Sequence, residues 1–421
     1  MVSVLRRNRI PLRLPPREVT SIDVEGEVEP RAVGVDRAAV ERIWHAVEYL
    51  YEAGVHPAMS LCIRRRSRIV LNRAIGHGRG NAPTDGPEVE KVRALPETPF
   101  CIFSASKAIT AIVLHMLDER GLVHLGDRVA DYVPEFAQHG KEWVTVRHVL
   151  THRAGIPTIP HADEVLDLLG DQTAIMDLLS AARPKFAAGR RLSYHAVTGG
   201  FVLAEVVRRA TGISIREYLQ RELLDPLGFR WTNYGVDRED IPRVAVNAFT
   251  GPPPPWPWSK VVERALGVGM QEATRVSNTP EWLRAIVPSG NVVSTAEELS
   301  RFFQLLLDGG VQRGVRVFGP RLVRRAVVET SFLELDLTLM LPVRYGCGLM
   351  LGTERVSPFG PGTPRAFGHH GFINVFGWAD PERDISVAFL TSGKPFVSGH
   401  LPRLLAVLDR ISDGFPRARA A

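Results

Sequence analysis

The sequence predicts an α+β fold: an antiparallel sheet flanked by helices and formed by both chain ends, with an all-helical domain inserted in the middle. Strand-like runs cluster near the two ends, at Ala58 to Arg64 and Arg68 to Ala74, then at Asn374 to Ala379 and Ile385 to Thr391. Between them apolar residues recur at helical spacing, and Gly121 and Gly212 stop two of the periodic segments. On this division residues 1–34 form an extended N-terminal arm and residues 35–412 a single domain. Its sheet part covers about 35–103 and 286–412, its helical part about 104–285, and 413–421 are a tail.

Taken in order, residues 1–34 are rich in Pro, Arg and Glu without periodicity, which makes them an arm. A helix spans about Val40 to Ala53 and ends at Gly54. The two early strand runs, closely joined at Arg66-Ser67, read as a hairpin at a sheet edge, and Gly76 to Pro96 as a loop. Behind Ser104, the residues Ile109, Ile112, Val113, Met116 and Leu117 lie on one helical face, so the serine opens a buried helix. Val144 to His152 begins another helix, and Tyr194 stands just before a third, in which Val202 and Val206, and Leu203 and Val207, pair one turn apart. Gly251 to Trp258 is a stiff polyproline-type stretch, expected to drape over the body with its tryptophans buried. Ser294, with Glu297 three residues on, resembles a capped helix start. The last helix sets Leu401, Leu404, Leu405, Leu408 and Ile411 on one face.

At 421 residues and 45% hydrophobic content, the chain has enough apolar surface for a sizeable core. Its 52 Lys and Arg against 46 Asp and Glu are spread out, with short runs such as Arg64-Arg65-Arg66 that read as solvated faces. No interleaving with exposed aromatics suggests nucleic-acid binding. Cys62, Cys101 and Cys347 are too few and scattered for a disulfide framework or a zinc site, which points to a reducing compartment. No segment has the length and apolarity of a signal peptide or membrane span, so the expectation is a cytoplasmic protein, with peripheral membrane contact through the Arg-rich start as a lesser reading.

The chemistry-bearing stretch is Phe103-Ser104-Ala105-Ser106-Lys107. Residues three apart share a helical face, so Lys107 is carried back over Ser104, and the helix N-terminus favours negative charge developing near the serine oxygen. Ser-x-x-Lys recurs by chance in many chains, so context has to carry it. His148 and His152 are four apart, but no glutamate follows the first as a zinc protease needs and no third ligand is in sight, which makes them structural.

Five ordered matches supply the context: the Ser104 motif; Val144 to Gly155; Tyr194 following Gly189; Ser289-Gly290 with Ser294-Thr295-Ala296; and Phe367-Gly368-His369-His370-Gly371 before the final hairpin. Together they resemble the serine β-lactamase and penicillin-recognising superfamily, most closely its class C-like branch with the family VIII carboxylesterases, over roughly residues 36–412. The absence of G-x-S-x-G argues against an α/β-hydrolase.

The resemblance implies a cofactor-independent serine hydrolase with no metal, acting on a small-molecule ester through an acyl-enzyme on Ser104. It makes Lys107 and Tyr194 a coupled general base and acid, with His369 as a further catalytic residue and Gly371 beside the substrate. The oxyanion donors are then the backbone N–H groups of Ser104 and Phe372. Two departures bear on substrate. His369 stands where β-lactamases commonly have lysine, and a neutral imidazole recognises a carboxylate poorly; Ala196 stands where asparagine is common, and a methyl cannot hydrogen-bond a substrate amide or steady Lys107. Both favour neutral esters.

The same machinery would also serve an acyltransferase, a D-amino-acid peptidase or a weak β-lactamase. A non-catalytic scaffold has no need of Ser104, Lys107 and Tyr194 together. Trp256, Trp258, Tyr345 and Phe372 are candidates for lining an acyl pocket or for core packing, Cys101 reads as a small core residue, and no catalytic role is assigned to Ser106, His195 or His370.

Overall fold

A computed structural model describes residues 8–158 and 168–417. The first residues of the Arg-rich start, through Arg7, lie outside the described residues. The chain runs through β1 (Thr20–Ile22), α1 (Arg37–Tyr51), β2 (Ala58–Arg65), β3 (Arg68–Arg79), β4 (Val92–Arg93) and β5 (Phe100–Cys101). Next come α2 (Ser106–Glu119), α3 (Val146–Leu150), α4 (Thr198–Thr211), α5 (Trp258–Leu266), β6 (Val292–Ser294) and α6 (Ala296–Leu307). The last part supplies β7 (Ser331–Asp336), β8 (Leu341–Tyr345), β9 (Met350–Leu351), β10 (Phe367–Gly371), β11 (Val375–Asp380), β12 (Ile385–Thr391) and α7 (Leu401–Gly414).

Ten strands form one sheet in the order β1-β3-β2-β12-β11-β10-β9-β8-β7, with β4 attached to β3. The early hairpin joins the late one where β2 runs antiparallel to β12, Cys62 opposite Ala388. Both ends of the chain therefore build one sheet.

Side chains alternate across this sheet because successive residues of a strand point to opposite faces. From β12, Val387 and Phe389 pack with Leu61 and Ile63 of β2 against Ile43, Val47 and Leu50 of α1 and Val407 and Ile411 of α7. Ala388 and Leu390 face the other way, into the core that holds α2 and α6. A fully buried side chain of this size contributes roughly 1.5–3 kcal/mol. That second core carries the site, since α2 runs through it with Ile109, Ile112, Val113 and Leu117 fully buried.

Several local expectations are corrected. The stretch before α1 is not a bare extended arm: Thr20–Ile22 pairs with Arg73–Ile75, and Glu27 forms an ion pair with Arg73 at 2.9 Å. Polar pairing holds this segment, which is why apolar periodicity did not reveal it. β1 thereby covers the hairpin's outer side, and the stretch read as a loop from Gly76 continues β3 to Arg79 and pairs it with β4. The cap of α6 is Thr295, not Ser294: its side chain accepts the N–H of Glu298 at 3.1 Å. Leu405 is 63% exposed, with Val407 in the buried face instead. The tail is shorter than expected, since α7 continues to Gly414 and Phe415 is buried. Among the described residues no helix is long and apolar enough to cross a membrane.

Candidate active site

Ser104 lies in a single 3-10 turn, Phe103–Ala105, that leads from β5 into α2. Phe103 takes a left-handed φ of 47°, an uncommon conformation for a bulky residue. Ser106 locks the turn: its hydroxyl donates to Phe103 O at 2.5 Å and accepts the N–H of Val292 in β6 at 3.0 Å. Ser106 is thus a tie to the neighbouring strand, and Cys101 is a buried core residue.

Lys107 follows in the first turn of α2 and reaches back as the three-residue spacing requires. Its Nζ is 3.3 Å from Ser104 Oγ, 2.6 Å from Ala196 O and 3.0 Å from Ser289 O. The methyl of Ala196 cannot steady Lys107, but the backbone carbonyl of the same residue does. Burial holds the Lys107 amine well below the ordinary lysine pKa. Nζ thus lies between two carbonyl acceptors and the serine hydroxyl.

Tyr194 completes the group. Lys107 Nζ sits 4.8 Å from the centre of its ring. Burial raises the phenol's pKa, and hydrogen bonding with Ser104 opposes that rise. The segment around the tyrosine is stapled on both sides. Asp336 Oδ1 accepts the N–H groups of Tyr194, Thr338 and Leu339 at 3.0, 2.8 and 3.0 Å. On the other side His152 O accepts the N–H of Ser193, His152 Nδ1 accepts that of His195, and the His152 ring packs 4.7 Å from that of Tyr194. His195 in turn accepts the N–H of Ile156 through Nε2, and His148 accepts that of Thr145 through Nδ1. These histidines organise backbone, and no group of metal-ligating side chains occurs among the described residues.

The end of β10 lies against the serine turn. A side chain on Gly371 would come within 2.2 Å of Ile102 O, so only glycine lets the strand approach this closely. Phe372 follows, and its ring packs edge-on against Phe103 with centroids 5.4 Å apart. Gly200 of α4 allows a second close approach: a Cβ there would meet Ser289 N at 2.5 Å, and Ser289 is the residue whose carbonyl holds Lys107.

His369 lies on β10, buried, with Nδ1 donating to His370 O at 2.7 Å. Burial, reinforced by Lys107, lowers it to about 3, so it is a neutral imidazole near pH 7. His370 donates through Nε2 to Pro358 O at 3.0 Å and packs on Phe376.

Two chambers meet at Ser104. One, about 1000 Å³ with its open mouth included, is lined by Phe103, Pro157, Leu169, Val276 and Trp282. The other, about 1420 Å³ on the same measure, is lined by Tyr194, Leu341, Tyr345, Met350, His369 and Gly371. Ala265 and Leu266 of α5 and Phe372 border both. Trp256 and Trp258 line neither, and Trp256 is 81% exposed, which corrects the expectation that both tryptophans are buried.

The sequence reading missed Asp336 and the Ser289 carbonyl as supports, and read His152 as structural without placing it beside Tyr194. Asp336 leaves one signal, the single charged residue in the run Leu335 to Met340; a backbone carbonyl leaves none.

The family described as Beta-lactamase matches residues 43–409. "Esterase/beta-lactamase LipL" of Mycobacterium tuberculosis is 30% identical over 305 residues, 69% of this chain and 68% of that protein. "Protein flp" of Staphylococcus aureus is 23% identical over 272 residues, which are 62% of this chain and 48% of flp. A penicillin-binding protein homologue from Caulobacter crescentus superposes with TM-score 0.75 and 26% identity, covering 90% of this chain and 98% of its own. A family VIII carboxylesterase structure, at TM-score 0.75 and 24% identity over 89% of this chain and 98% of its own, shares the fold.

Proposed function

Because the chain belongs to the beta-lactamase family and is a serine hydrolase of that fold, we propose that it cleaves carboxylic esters of small or medium acyl length through an acyl-enzyme on Ser104. The observation that carries this is the arrangement of the Lys107 amine, its pKa lowered by burial, with Nζ donating to Ala196 O and Ser289 O and lying 3.3 Å from Ser104 Oγ.

In the proposed cycle Lys107 Nζ accepts the Ser104 proton as Oγ attacks the ester carbonyl. The oxyanion is held by the N–H groups of Ser104 and Phe372, each worth on the order of 3 kcal/mol to the transition state. Tyr194, protonated at neutral pH, gives its proton to the leaving alkoxide and regains one from the Lys107 ammonium beside its ring. Water then attacks the acyl carbon in the reverse sense, releasing the acid and returning the proton to Ser104. The directions of the two pKa shifts support Lys107 as base and Tyr194 as acid.

The neutral His369 supports neutral esters over β-lactams, since it supplies no fixed cation for a carboxylate. Three free, buried cysteines support a reducing, cytoplasmic setting. Stopped-flow mixing with a chromogenic acyl ester should give a burst of alcohol followed by slower turnover, and nitrocefin should turn over far more slowly. Nitrocefin turnover equal to that of the ester would contradict the substrate argument.

A further inference from the structure

The mouth of the cleft is ringed by apolar side chains that no part of the described chain covers. On one side stands α5, whose Trp258, Val261, Val262, Ala265 and Leu266 form one face at helical spacing. Not one residue of this helix is buried, although Val262, Ala265 and Leu266 border the chamber that holds Ser104. On the other side stands the hairpin of β7 and β8, at the outer end of the ten-stranded sheet. There Phe332 is 69% exposed and Leu341 52%, with Leu333, Leu335 and Met340 exposed beside them. Leu333 and Leu341 also line the chamber, so the outer patch and the inner wall are one continuous apolar surface.

We infer that this rim docks on the surface of a lipid aggregate bearing anionic headgroups, and that esters presented there enter the cleft with their acyl chains along its apolar wall; this rests on the ester-hydrolase reading above. Two features select a lipid surface as the occupant. The apolar patch runs without a break to Ser104, so the body that covers it also feeds the reacting centre. The flanking charge is basic: the loop from Arg183 to Arg191 carries Arg183, Lys185, Arg190 and Arg191 with no acidic residue, and Lys185 N–H donates at 2.7 Å to the carbonyl of Gly155, next to the Ile156-Pro157 segment that reaches the chamber wall. Indole and aliphatic groups lie on one helix face and Lys260, Glu263 and Arg264 on the other, with Lys260 paired to Glu263 at 2.8 Å and Arg264 left as the face's net positive charge, the pattern of a segment that lies in a lipid interface.

The test is flotation of the full chain with phosphatidylglycerol vesicles and with neutral phosphatidylcholine vesicles, using wild type, Ser104→Ala, and the double variant Trp258→Ser with Phe332→Ser. Neither substituted aromatic residue borders a chamber. Wild type and Ser104→Ala are expected to float with the anionic vesicles and to show a blue shift of tryptophan emission. The double variant should bind roughly a hundredfold more weakly, since each lost ring removes about a tenfold gain in partition. Its hydrolysis of 4-nitrophenyl acetate in solution should match wild type, while hydrolysis of an emulsified triacylglycerol falls by at least about tenfold. Vesicle binding by the double variant equal to that of wild type would overturn the proposal. So would a wild type that ignores both vesicles, or one that sediments as a dimer broken by the double variant without binding lipid. Active cleavage of the soluble ester with no vesicle binding sinks only the docking; vesicle binding without cleavage of any ester sinks the hydrolase reading instead.

Discussion

Lys107 Nζ donates to the carbonyl oxygen of Ala196 at 2.6 Å, so the residue that lacks a polar side chain still fixes the amine, through its backbone. Ala196→Gly keeps that carbonyl, and kcat for a soluble ester is expected to stay within about threefold of wild type. A loss of a hundredfold or more would assign the methyl a role that the geometry does not give it.

Lys107 has to be neutral to accept the serine proton, and burial lowers its pKa well below the ordinary lysine value. The sign follows directly: kcat/KM rises with pH as Lys107 deprotonates, then levels off. Burial also raises the Tyr194 phenol, so the plateau should have no descending limb below about pH 10. Lys107→Arg cannot lose its proton and should cost at least about a thousandfold in kcat/KM. A pH-independent Arg variant with wild-type rate would remove lysine from the base role.

Tyr194→Phe removes the proton donor but leaves the ring that packs on His152 and lies beside Lys107. kcat is expected to fall by roughly a hundredfold to ten-thousandfold with little change in KM, most for esters of poorly acidic alcohols. Steady-state kinetics on a series of leaving groups reads this out.

How much of this was legible in the sequence differs by the type of interaction. The helix behind Ser104 and the two hairpins announce themselves, because apolar side chains repeat at the period of the element that buries them. Ser104, Lys107 and Tyr194 were legible as motifs, and the chain closes the distance between them by folding α4 and the Tyr194 segment onto α2. The strand Thr20–Ile22 was not, because an ion pair and backbone bonds hold it. Neither was the Ser289 carbonyl, since every residue carries one. The exposed Trp256 went against expectation because burial of aromatics is a tendency, and this rim leaves them outside.

Lys394 is fully buried over the Phe103 ring, donates to Thr391 O at 2.7 Å, and is brought down to about 7 by burial. A lysine whose pKa falls on folding costs stability while it is charged. That cost is full below the folded value and fades as pH rises toward the unfolded value of about 10.4. Lys394→Met should therefore raise Tm most near pH ~6, with the advantage shrinking toward pH ~10. Calorimetry of both proteins across that range checks the sign; an advantage that grows with pH would contradict it.

The central claim is that Ser104 carries the acyl group. Mass spectrometry of the protein after brief mixing with a fluorophosphonate, and separately with an activated acyl ester, measures this at the level of the modified peptide. A single adduct on Ser104, absent together with hydrolysis in Ser104→Ala, is the expected result. An adduct on another residue, or full hydrolysis by Ser104→Ala, would contradict it.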